Sequence, residues 1–124
     1  MGAYLSQPVK EKESSDGGNV KVKFGTSAMQ GWRTSMEDSH CAVPDLDENT
    51  SFFAVFDGHG GKEVALYAGR YLPQILKDTN AYKEENDLKQ ALVESFMKID
   101  EVMKDKTNAQ ELAELSGRRR FREE

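Results

Sequence analysis

The chain has 124 residues, the length of one domain, and its 17 Lys and Arg against 22 Asp and Glu give a net charge of -5. This balance argues against a protein that binds nucleic acid through bulk positive charge. No apolar run reaches the roughly 18 residues that span a bilayer, and the start MGAYLSQP lacks the apolar segment of a secretion signal, so neither a membrane span nor secretion is expected.

The single cysteine favours a reducing, intracellular compartment. Cys41 has no partner for an internal disulfide, and with His40 and His59 as the only histidines the chain has too few soft ligands for a structural zinc site. We interpret Cys41 as a small buried hydrophobic residue rather than a nucleophile.

The predicted elements begin after an N-terminal lead-in. Residues 8–23 are charged, contain Ser-Ser-Asp-Gly-Gly and have no sustained hydrophobic period. Residues 1–23 are therefore predicted to be flexible, and the ordered part is expected to begin near Phe24.

Strands are predicted in the first half of the ordered part. Trp32, Met36 and the run Cys41-Ala42-Val43 suit extended structure, so two short strands are expected within residues 28–43. The continuous apolar run at residues 52–56 predicts a further strand that is buried on both faces.

Helices are predicted in the second half. Apolar residues recur at spacings of three and four over residues 62–77, and Pro73 is expected to bend or end this helix. A second helix is expected to begin after Asp87 as its N-cap. One further helical turn is predicted at residues 111–115. The apolar face of the second helix is expected to bury Leu88, Ala91, Leu92, Ser95, Phe96, Ile99, Val102 and Met103.

Asp57 stands where the predicted strand ends and a glycine-rich turn begins. Alternation along the strand places Asp57 on the same face as Phe53 and Val55, so its carboxylate needs a cation or a donor to offset its desolvation. The turn Gly58-His59-Gly60-Gly61 lets the backbone approach a ligand closely, because the glycines have no side chain. These features favour a metal site.

Residues upstream of this strand add the other groups that phosphate chemistry needs. Glu37 and Asp38 supply carboxylates, which bind hard cations such as Mg²⁺ and Mn²⁺. Arg33 supplies a planar guanidinium that suits phosphate oxygens, and in an extended segment it lies on the same side as Glu37 at about 13 Å. With Asp57, this set indicates metal-assisted phosphoryl chemistry, in which His59 could protonate a leaving oxygen.

Each of these residues also has a simpler interpretation. Glu37-Asp38 alone is more often a solvated pair, and Asp57-Gly58 alone is more often a turn. Arg33 alone is usually a surface residue, and His59 could be a loop residue with no role. A nucleotide-binding glycine loop is not supported, because Glu63 stands where the dinucleotide pattern needs Gly and the phosphate loop needs Ser or Thr.

Two motifs in sequence order resemble a known family. Gly31-Trp32-Arg33 with Ser35-Met36-Glu37-Asp38, followed by a Phe-rich strand that runs into Asp57-Gly58-His59-Gly60-Gly61, is similar to the N-terminal signature of the metal-dependent protein serine/threonine phosphatases of type 2C. The start MGAYLSQP and the AYKE at residues 81–84 resemble the gamma branch of that family. The resemblance extends to about residue 117.

The resemblance implies a set of metal ligands. Asp57 would bridge two Mn²⁺ or Mg²⁺ ions, and the carbonyl of Gly58 would contact one of them. Glu37 would hold that same metal directly or through its water, and Asp38 would orient metal-bound water. A hydroxide that bridges the metals would attack phosphorus in line.

The resemblance also implies how substrate is bound. Arg33 would bind the phosphate, and His59 would be the catalytic general acid toward the departing Ser or Thr oxygen. The expected partners are phosphorylated proteins, without direct binding to nucleic acid, and the expected state is a monomer. The expected location is intracellular, cytoplasmic or nuclear.

The family fold implied by the resemblance is α+β, a β-sandwich flanked by antiparallel helices in αββα layers. Residues 24–117 would be the N-terminal portion of that catalytic domain and residues 118–124 a charged tail. The family metal site takes two further aspartates whose motifs this sequence lacks. We therefore expect a fragment, a truncated gene model or a short splice form that is inactive alone; the alternative is a catalytically dead module that binds or sequesters partners.

Gly2 is a candidate lipid site. The start Met1-Gly2-Ala3-Tyr4-Leu5-Ser6 fits the N-myristoylation pattern, with Gly after the initiator Met and Ser at position six. The lysines of the lead-in are interleaved with acidic residues, so no strong polybasic second signal exists, and contact with a membrane is expected to be weak and reversible.

Overall fold

The computed structural model describes residues 4–117 and has an α+β fold, which confirms the expected fold class. Gly2 and the tail at residues 118–124 lie outside the described residues. In chain order the strands are β1 (Tyr4–Gly18), β2 (Lys23–Arg33), β3 (Ser39–Asp47) and β4 (Thr50–Phe56). The helices are α1 (Glu63–Asp78), α2 (Asn80–Lys83), α3 (Leu88–Lys104) and α4 (Ala109–Leu115), with a 3₁₀ turn at Lys106–Asn108 before α4.

The strands form two antiparallel hairpins, β1 with β2 and β3 with β4. Asn19 makes the first turn, because its side-chain oxygen accepts from the backbone N–H groups of Lys21 at 2.8 Å and Val22 at 2.9 Å. Asp47 makes the second turn by accepting from the N–H of Asn49 at 2.7 Å. Both are the local side-chain to backbone bonds for which Asn and Asp are favoured in turns.

β1 occupies the segment where a flexible lead-in was expected from the sequence. Residues 4–18 pair with β2 along an antiparallel ladder, and none of their side chains is buried. Hydroxyl pairs across the ladder support it, among them Ser14 with Ser27 at 3.0 Å. Hydrophobic periodicity cannot predict a strand that has no buried side chain. β1 was therefore not expected from its charged sequence.

The core lies between the β3–β4 hairpin and helices α1 to α3. Gly69 lets α1 approach β3 closely, since a Cβ at this position would lie 2.7 Å from the hydroxyl oxygen of Ser39. Cys41 is half-buried against the core, and burial raises the pKa of its thiol, as its interpretation as a small hydrophobic residue requires. The buried cluster comprises Leu46, Phe52, Tyr67, Ala68, Leu72, Leu76, Ala81, Ala91 and Ile99.

The outer face of β4 is more open than the sequence predicts. β4 buries Phe52 against the core but leaves Phe53 half-exposed and Val55 77% exposed, so the expectation of burial on both faces is wrong for the described chain. A cleft of about 1030 Å³ separates this face from β2. The ring of Phe24 contacts Phe53 from the β2 side, with ring centres 5.7 Å apart.

The helix α3 begins where the sequence predicts and buries less than expected. Asp87 caps it by accepting from the N–H of Gln90 at 3.1 Å. The buried side chains are those of Ala91, Ser95 and Ile99. The large apolar side chains Leu88, Leu92 and Phe96, which were expected to be buried, are about half exposed.

α1 and α4 lie where helices were predicted, whereas α2 was not predicted and Pro73 does not end α1. α1 continues through Pro73 to Asp78, because Leu72 and Leu76 are buried on either side of the proline. α4 occupies the place of the further helical turn expected at residues 111–115. None of the helices in residues 4–117 has the length and apolar character needed to cross a membrane.

Candidate active site

The register of the β3–β4 hairpin creates the candidate site. Ser39 at the start of β3 pairs with Phe56 at the end of β4. Antiparallel pairing therefore brings the residues just before β3 next to those just after β4. The N–H of Gly58 donates to the carbonyl oxygen of Glu37 at 3.1 Å, which fastens the two predicted motifs to each other.

Gly58 is the residue that allows this close approach. A Cβ at Gly58 would collide with the carbonyl oxygen of Glu37 and would lie 2.9 Å from the carbonyl oxygen of Gly61. Both obstacles are backbone atoms, which cannot rotate away as a flexible side chain could. The site thus needs glycine here for space.

The carboxylates of Asp38 and Asp57 come together across this junction. Partial desolvation, followed by the hydrogen bond to Asp57 and the like charge of Asp57, raises the pKa of Asp38 above its ordinary value. The N–H of Gly58 and the charge of Arg33 act in the opposite direction with smaller effect. Two neighbouring carboxylates repel each other when both are charged, and a cation between them would offset that repulsion.

Arg33 and Glu37 belong to the bend that joins the two hairpins. β2 ends at Arg33, and its carbonyl oxygen accepts from the side-chain amide of Gln30 at 2.8 Å. Ser35 donates to the Glu37 carboxylate at 3.2 Å. The chain bends at Thr34 and Ser35, so the extended spacing assumed from the sequence for Arg33 and Glu37 is not the geometry of this segment.

His59 and Glu63 lie in and after the glycine turn. His59 is exposed two residues after Asp57, where solvent and ligands can reach it. Glu63 opens α1, and its Oε1 is buried without a hydrogen-bond partner among the described residues. Its carboxylate folds back over Gly61, close to the position that a Cβ would take, and Gly61 has a φ of 144°, a backbone conformation that favours glycine. An acidic residue in the first turn of a helix was the available signal for Glu63.

Tyr4 is a second residue near the site that the sequence did not predict. It is the strand partner of Arg33 in the β1–β2 ladder. No pattern in the sequence indicated it, since β1 itself was not predicted.

The carboxylate and carbonyl oxygens at the junction are suited to a hard divalent cation, but they are too few for a complete metal site. Paired carboxylates and a neighbouring carbonyl oxygen are the ligands that Mg²⁺ and Mn²⁺ prefer. Within residues 4–117, however, no three His, Cys, Asp or Glu side chains lie close enough together to hold an ion. The described residues thus bring carboxylates and a carbonyl oxygen to one junction without forming a group of three acidic or histidine ligands.

The chain is similar in sequence to known protein phosphatases. The chain is 51% identical over 121 residues to Protein phosphatase 1G of Homo sapiens, which covers 95% of this chain and 22% of that protein. It is equally similar to Protein phosphatase 1G of Bos taurus. It is 50% identical over 115 residues to Probable protein phosphatase 2C 21 of Arabidopsis thaliana, which covers 93% of this chain and 32% of that protein.

The chain therefore spans about a fifth to a third of the length of these relatives. The family model described as Protein phosphatase 2C matches residues 22–118, which include both motifs of the candidate site. The chain belongs to the protein phosphatase 2C family.

Proposed function

We propose that the complete gene product that carries this chain hydrolyses phosphoserine and phosphothreonine in proteins with the help of Mn²⁺ or Mg²⁺. The observation that carries the proposal is the meeting of Asp38 and Asp57 beside the backbone of Gly58, within reach of the charge of Arg33. Membership of a phosphatase family supports the reaction class. These two lines of support are independent, because one is the geometry of the junction and the other is sequence similarity.

The carboxylate side of the junction is proposed to hold two metal ions in the complete site. Asp57 and the carbonyl of Gly58 would be ligands, Glu37 would bind directly or through water, and Asp38 would orient a water molecule. When bound, such ions lower the pKa of water and offset the charge of a phosphoryl group. Gly58 keeps the two carboxylate-bearing segments in contact.

The remaining side chains are proposed to act on the substrate. The guanidinium of Arg33 would bind two phosphate oxygens at once, which orients the phosphoryl group. His59 is exposed and would donate a proton to the departing Ser or Thr oxygen, so that the product leaves as an alcohol.

The 124-residue chain alone is proposed to be inactive. Its described residues gather no three side chains that could hold an ion, and they offer too few charged ligands at the junction to hold two cations tightly. Residues beyond this chain would have to complete the site.

A binding or sequestering module is the second candidate function. The specific observation in its favour is the half-exposed apolar side chains of Leu92, Phe96 and Met97 on α3, because contiguous exposed apolar surface marks interaction sites. A partner bound there would need no catalytic metal.

Hydrolysis of a phosphoserine peptide by the complete gene product tests the proposed function. Turnover should require added Mn²⁺ and stop on chelation. Arg33→Ala should raise KM by about tenfold or more with a smaller change in kcat, because it removes ground-state phosphate binding. A well-folded gene product without turnover would favour the binding module.

Myristoylation of Gly2 is proposed separately, with weak and reversible contact of an intracellular protein with membranes. Intact-mass analysis of protein from a eukaryotic host should show a myristoyl adduct that Gly2→Ala removes. An unmodified N-terminus would contradict it.

A further inference from the structure

The β1–β2 ladder places an aromatic side chain beside the phosphate-binding candidate. Tyr4 and Arg33 are direct partners across the two strands. Partners in an antiparallel pair project on the same face of the sheet, with Cβ atoms about 4.5–5.5 Å apart. Tyr4 is 69% exposed, and Arg33 is exposed as well, so neither side chain is used by the core.

Arg33 has both Tyr4 and a carboxylate as neighbours. The charge of Arg33 reaches Asp38, whose carboxyl group hydrogen-bonds to Asp57. Tyr4 lies on the strand that pairs with Arg33. A phosphoryl group held by Arg33 would bring the neighbouring residues of its polypeptide within reach of an exposed ring at this position.

The position of Tyr4 is defined by the strand pairing. The ladder shifts register between Tyr4 and Val9, so the chain bulges away from β2 and then returns to pair at Arg33. Such bulges re-aim side chains next to functional sites. A tyrosine ring offers a large apolar face and a hydroxyl at low cost in conformational entropy, which is why tyrosine recurs at recognition surfaces.

We propose that Tyr4 is a specificity-determining residue whose ring contacts the substrate polypeptide beside the phosphorylated Ser or Thr. This inference rests on the proposed function, because it takes Arg33 as the phosphate-binding residue. A phosphopeptide has residues on both sides of the phosphate that the ring can cover. A small aryl phosphate has none, so it gains nothing from the contact.

The ratio of two specificity constants tests the inference. Kinetics of the complete gene product, without an N-terminal tag, would give kcat/KM for a phosphoserine peptide with apolar flanking residues and for p-nitrophenyl phosphate. Tyr4→Ala should lower the peptide to aryl phosphate ratio by about fivefold to tenfold, the effect of a truncated interface contact of ordinary strength. Tyr4→Phe should retain most of the ratio, because it keeps the ring.

Val20→Ala is the matched control, since Val20 is fully exposed at the tip of the same hairpin and remote from Arg33; its ratio should equal that of the unaltered protein. An unchanged ratio in Tyr4→Ala, or an equal loss of kcat/KM on both substrates, would overturn the proposed role of Tyr4. The proposed function would stand in either case. Absence of turnover in the unaltered, folded protein would overturn the proposed function and this inference together.

Discussion

The two hairpins of this chain are held in place by different forces. The β3–β4 hairpin packs Leu46 and Phe52 into the core beneath α1. The β1–β2 hairpin has no buried side chain among its described residues and is attached through its turn and one aromatic pair. Burial of apolar area stabilises a hairpin more than a few polar contacts do. The β1–β2 hairpin is therefore expected to open at a lower free energy than the core.

The turn contacts of the outer hairpin are polar. Asn19 donates to the carbonyl oxygen of Pro44 at 3.0 Å and to the carboxylate of Asp45 at 2.7 Å, and Lys21 donates to the carbonyl oxygen of Glu48 at 3.0 Å. The candidate site straddles the two regions, because Arg33 ends the outer hairpin and Asp57 follows the core hairpin. The part of the site that contains Asp57 is thus more firmly positioned than the part that contains Arg33.

Loss of core packing should have the largest effect on stability. Leu72 is 1% exposed in the centre of the buried cluster. Leu72→Ala should lower the free energy of unfolding of the complete gene product by about 2–5 kcal/mol, through lost transfer energy and the cavity left behind. Urea unfolding would measure this. Val20→Ala should change it by less than about 0.5 kcal/mol, and similar losses in both variants would contradict the contrast between the regions.

A methyl group at the junction should have the next largest effect. Gly58→Ala pushes a Cβ into two backbone carbonyls, and overpacking of this kind costs about 1–3 kcal/mol. It should also separate Asp38 from Asp57. Activation by Mn²⁺ should therefore be weakened even at temperatures where the variant is fully folded. Gly25→Ala is the control, since a Cβ there meets nothing within 4 Å. Normal Mn²⁺ activation of Gly58→Ala would show that the close approach is not required.

Removal of the aromatic attachment should loosen only the outer hairpin. Phe24→Ala deletes the ring contact with Phe53, and such pairs contribute about 0.5–1.5 kcal/mol beyond their buried area. Amide hydrogen exchange should quicken along β1 and β2 while α1 stays protected. Equal acceleration in α1 would mean that the two regions unfold together.

The smallest expected effect is a pH dependence within the core region. Glu111 on α4 accepts from Tyr71 and Arg70 on α1, and the hydrogen bond from Tyr71, with the help of Arg70, lowers the pKa of Glu111 below its ordinary 4.5. A lowered native pKa stabilises the fold above the ordinary pKa, and this contribution is lost as the pH falls through the native value. The melting temperature of Glu111→Gln should therefore lie below that of the unaltered protein at pH 7, and the gap should close as the pH falls below the ordinary 4.5 and through the lowered native pKa. A gap independent of pH would contradict the ion pair.

The core region is where sequence patterns were informative. The apolar run at residues 52–56, the period of α1 and the N-cap Asp87 all report on burial and capping, and each element formed where it was predicted. β1 was not predicted, because it is held by backbone pairing with β2 and composition gives no signal for such pairing. The exposed fraction of the apolar side chains on β4 and α3 depends on which other elements pack against them. The hydrophobic pattern within one element does not contain that information.

The sequence indicated the candidate site residues, whose roles stay predictions, but not their geometry. Asp57 and Asp38 carried their own signal as carboxylates beside glycine and a strand end. Their meeting follows from the register of β3 with β4, which only the paired strands define. The bend after Arg33 and the pairing of Tyr4 with Arg33 are tertiary features in the same sense.

Mn²⁺-dependent hydrolysis of a phosphoserine peptide by Asp57→Asn tests most directly whether the junction of the two motifs is a phosphatase site. Asp45→Asn is the matched control, because it removes a carboxylate charge at the far end of the same hairpin, where Asn19 donates to it. Asp57→Asn in the complete gene product should lose at least about 100-fold in kcat/KM, since several kcal/mol of transition-state stabilisation depend on the metals, with a melting temperature close to that of the unaltered protein. Asp45→Asn should keep its activity. Near-normal turnover by Asp57→Asn would contradict the assignment of this site.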